Sequence, residues 1–342
     1  MRKAIVLFNL GGPDSLENVE PFLFNLFNDP AILNLPKLIR YPLAKLISKK
    51  RAPIARKIYQ EIGGSSPILK LTIDQANSLE NSLNAKQNST EYKVFVVMRC
   101  WHPRASQIIQ EVKKFNPNET ILLPLYPQYS AATSGSSLLE WKEIASKNNL
   151  NIITKTICCY PEDKKFIKAH SKLIMEKIKD LNNFKLIFSA HGLPEKNIKK
   201  GDPYQWQTEQ TVKKIMDEIK NVNADYILSY QSRVGPLKWI GPSTEEVIVE
   251  NSKLKKHLVI VPIAFVSEHS ETLVELDIEY KKLARNNGCT NYTRIEALGV
   301  NENFIDGLSD LILNNEDYKL TDSLYPPKNR CPSNFTKCPC LN

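Results

Sequence analysis

No apolar run in this 342-residue chain approaches the roughly 18 residues that a membrane-spanning helix requires. At the start, MRKAIVLFNLGGPD holds too short an apolar stretch for a secretory core and has no cleavage pattern. Cysteine is present seven times, an odd number without a secretory signal, which speaks against a disulfide framework and for a reducing, cytoplasmic setting. Histidine is scarce, at five residues, and none stands in an HExxH pair, so a zinc protease is not expected. NLGGP and AHGLP lack the GxGxxG spacing of a dinucleotide loop, and no serine or cysteine sits in a nucleophile elbow. Basic and aromatic residues do not interleave, so nucleic acid is not an expected partner despite a net charge of +9. That charge is left to suit an anionic membrane face or a carboxylate-bearing substrate.

What remains is a globular composition, 42% hydrophobic and 24% charged, in a chain long enough for two cores. Short apolar runs alternate with helix-length segments. The expected strands are 4–10, 93–98, 120–126, 151–157, 185–190, 225–230, 258–263 and 292–298; the expected helices include 103–115, 161–181, 203–220 and 301–315. Strands that are apolar throughout, separated by helices, imply parallel sheets covered on both faces. Two sets of four imply two doubly wound α/β halves. LFNLGGP (7–13) echoes IFSAHGLP (187–194), VMRCWHP (97–103) echoes SYQSRVGP (229–236), and LLPLYPQYS (122–130) echoes IVPIAFVS (260–267), always at strand ends and in the same order. Either the chain is duplicated or strand-to-helix turns simply favour Gly, Pro and Ser. In both cases the polar residues fall outside the carboxyl ends of strands, where open α/β sheets bind ligands.

Residues 19–53 differ in character. Asp14 and Glu17 suit a capping box for a first helix. Beyond them, aromatic and aliphatic residues are broken by Pro21, Pro30, Pro36 and Pro42 and end in Lys49-Lys50-Arg51. Ordinary core is one reading; an apolar lip with a basic end, facing a greasy acidic ligand or a membrane, is the other. Among the histidines, His170 and His257 stand among lysines and read as surface, and His102 before Pro103 reads as structural. His191 and His269 each follow an apolar strand. Ser267 is the expected cap of a helix presenting His269, Glu271 and Glu275, with Glu268 and Glu279 a turn away. Like charges at i,i+4 cost an exposed helix about 0.2–0.5 kcal/mol. Such a row needs either solvent to dilute it or a cation to neutralise it, and carboxylate with imidazole suits Fe(II). The tail, NRCPSNFTKCPCLN, spaces Cys331, Cys338 and Cys340 as C-x6-C-x-C, which reads as a metal site wanting a fourth ligand from Cys158 or Cys159. Zinc on four thiolates and an unliganded tail are the competing readings.

FNLGGPDS, YQEIGGSSPI, YPQYSAATSGSS, SAHGLPEKNIKKGDPY, YQSRVGPLKWIGP and VPIAFVSEHSETLVELDIEY together resemble the signature blocks of ferrochelatases, over about residues 4–315 and in family order. The resemblance implies two Rossmann-like halves, each a four-stranded parallel sheet flanked by helices (the chelatase-like fold). It implies insertion of Fe(II), as substrate, into a porphyrin, protoporphyrin IX being favoured, with loss of two pyrrole protons. It places the catalytic His on His191 and the active-site Glu on Glu271, both toward the substrate iron, with Glu275 extending the acidic helix and His269 as second histidine. Arg51, Tyr59, Ser66, Tyr126 and Trp239 fall at porphyrin-contacting positions, and the cleft is expected to hold the macrocycle bent so that its nitrogens face the metal. Some bacterial relatives with this tail spacing carry a [2Fe–2S] cluster, which here implies Cys158, Cys331, Cys338 and Cys340 as ligands.

The expected organisation is a first half over 1–150 including the lip, a second over 151–318 carrying His191 and Glu271, and a Cys-rich tail over 319–342. The chain is expected to be a monomer or homodimer, with peripheral association with the inner membrane as a further expectation. A chelatase for cobalt or nickel, or a non-catalytic haem carrier, are the other functions weighed. A carrier has no use for a row of carboxylates behind its histidine.

Overall fold

The structure is a computed structural model that describes residues 1–86, 89–220, 222, 224–233, 235, 237–289, 291–314 and 331–339. It divides into two compact units, one of Met1–Cys159 with Leu308–Lys328, the other of Tyr160–Gly307 with Asn329–Asn342.

The first unit is built on β1 (Arg2–Asn9), β2 (Glu91–Met98), β3 (Glu119–Pro124) and β4 (Ile153–Thr156), all parallel, in the order β2-β1-β3-β4. β1 is buried from its second residue on and β3 over its whole length, which is why neither alternates apolar with polar. Helices α1 (Val19–Phe27), α2 (Lys37–Gln60), α3 (Ile68–Lys86), α4 (Ala105–Phe115) and α5 (Ser136–Lys147) belong to this unit. α4 shows how they pack. Its buried Ala105, Ile108, Ile109 and Val112 recur at helical spacing and lie in one cluster with Phe8, Val97 and Trp141.

The second unit repeats the plan. β5 (Phe184–His191), β6 (Asp225–Gln231), β7 (His257–Pro262) and β8 (Tyr292–Arg294) are parallel in the order β6-β5-β7-β8. This is the first order with four added to each strand. In both units the third strand leads into a π-helical segment, Ala131–Gly135 after β3 and Glu271–Glu279 after β7. The wider turn of a π-helix is uncommon and tends to mark functional positions. α6 (Lys164–Ile178), α7 (Glu195–Lys199), α8 (Tyr204–Glu218), α9 (Thr244–Ser252) and α10 (Tyr280–Asn286) complete this unit, and α11 (Glu302–Leu313) runs from it into the first. Among the described residues no helix is long and apolar enough to cross a membrane.

Several local expectations are corrected. α1 begins after Asn18 without a side-chain cap, and Asp14 instead accepts a hydrogen bond from Asn18 at 2.7 Å, so there is no Asp14–Glu17 box. Pro30 and Pro36 do stand in the break between α1 and α2, but Pro21 lies inside α1, and α2 runs for 24 residues through Pro42 and Pro53. Each of these prolines removes one backbone donor, and the exposed stretches around them leave the freed carbonyls open to water. His170 is not on the surface. It is buried against Phe166, ring centroids 4.9 Å apart, and burial pulls its imidazole down to about 3, so it stays neutral. His257 is half-buried at the start of β7 and bonded to the Thr293 hydroxyl at 2.7 Å.

Candidate active site

The second unit gathers His191, His269, Glu271 and Glu275 at the carboxyl ends of adjacent strands. His191 is the last residue of β5, and β5 pairs with β7, whose loop enters the π-helix at Glu271. Gly192 follows His191 and must stay small, because a Cβ there would lie 2.8 Å from the Gln231 carbonyl and 3.3 Å from the Trp239 ring. Ser267 does not cap the helix; the capping position is Ser270, without a side-chain bond, while the Ser267 carbonyl engages His269 Nδ1 at 3.1 Å.

The hydrogen bonds settle which ring nitrogen is free. His191 Nδ1 lies 2.6 Å from the Gly192 carbonyl, which can only accept, so Nδ1 carries the proton. Its Nε2 then points at Glu271 Oε1, 3.6 Å away. By the same logic His269 Nδ1 donates to the Ser267 carbonyl and its Nε2 faces Glu271 Oε2 at 3.7 Å. In the neutral rings two nitrogen lone pairs therefore confront one carboxylate, an arrangement favoured only with a proton or a metal cation between them. A cation held at about 2.1 Å from each atom fits between ligands so spaced. Among the described residues no three His, Cys, Asp or Glu side chains close into a cage.

The two carboxylates differ in chemistry. Glu271 keeps 29% of its side chain exposed while Oε2 is shut from solvent. Burial alone would raise it, but once the rings are protonated the His191 charge, then His269, with Ser232, outweigh that and hold it at about 2. Glu275 is pushed the other way, first by burial and then by repulsion from Glu271. Four donors oppose that rise: Gln231 Nε2 and Ser232 Oγ reach Oε2 at 2.9 and 2.6 Å, and Ser232 N and the Tyr280 hydroxyl both reach Oε1 at 2.9 Å. Glu275 is thus anchored, and Glu271 is the carboxylate left to bind. The expected row of four glutamates is shorter in fact. Glu268 turns away to Arg294 at 2.8 Å, and Glu279 lies exposed at the end of the π-helix.

Of the five porphyrin positions, Trp239 stands beside this site, because Glu195 N and Ile240 N bind the Lys238 and Leu193 carbonyls and draw its strand against His191-Gly192. Arg51, Tyr59, Ser66 and Tyr126 belong to the first unit. There Arg51 is exposed on α2 over the Phe27 ring, Tyr59 is buried among Phe22, Ala52 and Trp101, and Ser66 packs on Gly12. Burial raises the Tyr126 phenol well above its usual range.

This chain is similar to known proteins along its whole length. The Ferrochelatase family profile matches residues 2–316. The chain belongs to the ferrochelatase family. Ferrochelatase from Pelagibacter ubique is 70% identical over 342 residues, covering 100% of this chain and 99% of the relative. The enzyme named Ferrochelatase in Rickettsia felis is 50% identical, covering 99% of this chain and 98% of its own. Among solved structures, SirB from Bacillus subtilis with Fe3+ superposes with a TM-score of 0.55 at 14% identity, covering 92% of this chain and 95% of that one. At that identity SirB bears on the fold alone: two parallel four-stranded sheets flanked by helices form the chelatase-like fold. Ferrochelatases insert ferrous iron into a porphyrin to make haem, as the family resemblance implies; the acidic stretch by itself points only to a cation such as Fe(II).

Three contributors escaped the sequence reading, the Tyr280 hydroxyl on Glu275 among them. Gln231 and Ser232 stand in the YQSRVGP block, and nothing in their types marks them as holders of Glu275. A signal existed in their place, at the last residue of β6 and just past it, β6 pairing with the His191 strand.

The described part of the tail, 331–339, packs within the second unit. Phe335 stacks on Trp206, centroids 5.9 Å apart, and Lys337 N binds the Gly201 carbonyl at 3.0 Å. Gln207 donates to the Cys331 sulfur at 3.2 Å, and hydrogen bonding with Cys338, then burial, raises the Cys331 thiol. Cys340 lies outside the described residues. Cys158 and Cys159 are buried at the end of the first unit, outside any disulfide, with sulfurs 3.4 Å apart.

Proposed function

We propose that His191 and Glu271 form the metal-transfer site of this ferrochelatase, with protoporphyrin IX as the porphyrin. The observation that carries this is the pair of imidazole lone pairs converging on a carboxylate held ionised. Glu271 takes the incoming Fe(II), and His191 Nε2 accepts a pyrrole proton as the metal enters. His269 steadies the second carboxylate oxygen. Trp239 offers its ring to the macrocycle beside His191, and Arg51, Tyr59, Ser66 and Tyr126 are the porphyrin contacts from the first half of the chain. A fluorometric assay of free-base porphyrin loss, with Fe(II) supplied anaerobically, tests the substrate. Protoporphyrin IX is expected to be consumed with a kcat/KM at least about tenfold above coproporphyrin, and the reverse order would refute the choice.

For the tail, two sulfurs already in contact, Cys331 and Cys338, support a thiolate-held centre completed by Cys340 and Cys158. A [2Fe–2S] cluster is one group that four thiolates take, zinc the other, and its role here would be to tie the tail down. Visible absorption between roughly 320 and 600 nm in the anaerobically purified protein, lost in Cys331→Ser, is the expected signature; a colourless wild type holding zinc would assign the site to zinc.

α2 supports attachment to a membrane. Its buried stripe is Ala44, Ser48, Ala52 and Tyr59, yet Leu38 is 90% exposed and Ile39, Leu46 and Ile54 are also open, among Lys45, Lys49, Lys50 and Arg51. An apolar face ringed by cations fits the anionic cytoplasmic leaflet, a setting that agrees with the described cysteines being outside any disulfide. Co-sedimentation with phosphatidylglycerol vesicles should be strong, weaken in high salt and fall at least about fivefold in Leu38→Glu. Binding that ignores this substitution counts against α2 as the anchor.

A further inference from the structure

Behind the site runs a chain of hydroxyls that metal transfer as described does not use. Ser229 Oγ donates to the Phe188 carbonyl at 3.1 Å. Thr244 Oγ1 lies 2.9 Å from Ser229 Oγ and 3.1 Å from Ser189 Oγ, and Ser189 Oγ donates to Gln231 Oε1 at 2.8 Å. Ser189, Ser229 and Thr244 are 0% exposed and Gln231 is 1% exposed. Hydroxyls so deep in a sheet cost stability unless each is bonded, and here each one is. The chain joins four elements: β5 through Ser189, β6 through Ser229 and Gln231, α9 through Thr244, and the π-helix through Gln231.

Gln231 touches both ligand-bearing segments. Its carbonyl accepts from Gly192 N at 2.8 Å, directly after His191. Its amide donates to Glu275 Oε2 at 2.9 Å and to the Glu271 carbonyl at 3.3 Å. An amide can be turned over, and its direction follows from its neighbours. Turned over, it would set an oxygen against a carboxylate and a carbonyl on one side and waste the Ser189 hydroxyl on the other.

We propose that Gln231 is a positioning residue, its amide locked by the Ser229–Thr244–Ser189 chain so that it grips the first turn of the π-helix and keeps Glu271 opposite His191. This rests on the reading of His191 and Glu271 as the metal-transfer site. The chain ends on a backbone carbonyl, so it orients and does not conduct protons.

Thr244→Val removes the central hydroxyl with little change in shape, Thr244→Ser keeps it, and Ser189→Ala removes the donor to Gln231. Each is assayed in the full-length protein for anaerobic Fe(II) insertion into protoporphyrin IX, with porphyrin binding read by fluorescence quenching and folding by thermal midpoint. Thr244→Val and Ser189→Ala are expected to lose about tenfold in kcat/KM for Fe(II), as outer-shell changes at metal sites do, with porphyrin affinity held within about twofold. Thr244→Ser should restore wild-type insertion. If Thr244→Val unfolds, Ser189→Ala carries the same decision with one oxygen removed. Full Fe(II) insertion in both, or iron and porphyrin parameters worsening together, would reduce the chain to packing and overturn the inference. Glu271→Gln separates the two ideas: if it inserts iron normally, the site reading fails and not only the clamp.

Discussion

Glu271→Gln is expected to lower iron insertion by more than about 100-fold while leaving porphyrin binding within a factor of about two. Outer-shell substitutions at metal sites already cost roughly 10–100-fold, so loss of the ligand itself should exceed that range. The shape survives, since glutamine is isosteric and its amide can donate to the lone pair on His191 Nε2 or His269 Nε2, which now face Glu271 at 3.6 and 3.7 Å. What disappears is the anionic charge that draws a dication into a half-open site. The wild-type carboxyl is held at about 2, below the roughly 4.3 of a free glutamate. A depressed acid contributes stability in full above the free value and loses it as pH falls through its folded value. The acid limb of wild-type unfolding between about pH 4 and 2 should therefore be shallower in Glu271→Gln. Stopped-flow fluorescence with anaerobic Fe(II) reads the first effect and denaturant titrations across pH the second. Normal insertion by the variant would remove Glu271 from the metal path.

The sequence spoke plainly on β-structure because β1, β3 and β7 are buried on both faces, so apolar runs mark them without any competing periodicity. It also placed His191 and His269 after strands, with Glu271 on the helix that follows His269, and doubly wound folds bring strand ends together. Two kinds of feature stayed hidden. The π-helical winding of Glu271–Glu279 has no residue signature, because it is set by what the segment must reach, here Gln231 and Ser232 for Glu275. His170, set among Lys164, Lys165, Lys168 and Lys172, looked solvated, yet the helical period turns it inward onto Phe166 while the lysines face out. Charge counted along the chain misled where direction around the helix decided. The acidic row misled similarly, since counting glutamates cannot show that Glu268 is claimed by Arg294, 26 residues away.

Arg294→Met is expected to destabilise the second unit by about 3–5 kcal/mol, the usual result of stripping one partner from a buried ion pair. Arg294 ends β8 with its side chain 8% exposed. It reaches Glu268 Oε1 at 2.8 Å and Asp277 Oδ2 at 2.7 Å, and so ties the loop before the π-helix to the helix itself. Glu268 also accepts from Ala297 N at 2.9 Å. Asp277 is 36% exposed, so its share is screened and small, and the penalty comes mainly from Glu268, left buried without its cation. The pH dependence distinguishes this from simple loss of packing. In the wild type, burial raises the Glu268 carboxyl but Arg294 outweighs it and the group sits below its usual range. Its contribution is thus present above a free-chain value near 4.3 and fades as pH falls below that. In Arg294→Met the sign reverses: without the guanidinium, burial raises Glu268, and protonation relieves it. The gap between wild type and variant, measured by urea unfolding, should therefore narrow between pH 7 and pH 4.5. Adding Glu268→Gln should recover at least about half of the loss at pH 7. A gap that stays constant across that range would mean that Arg294 stabilises the unit through its aliphatic contacts and not by neutralising Glu268.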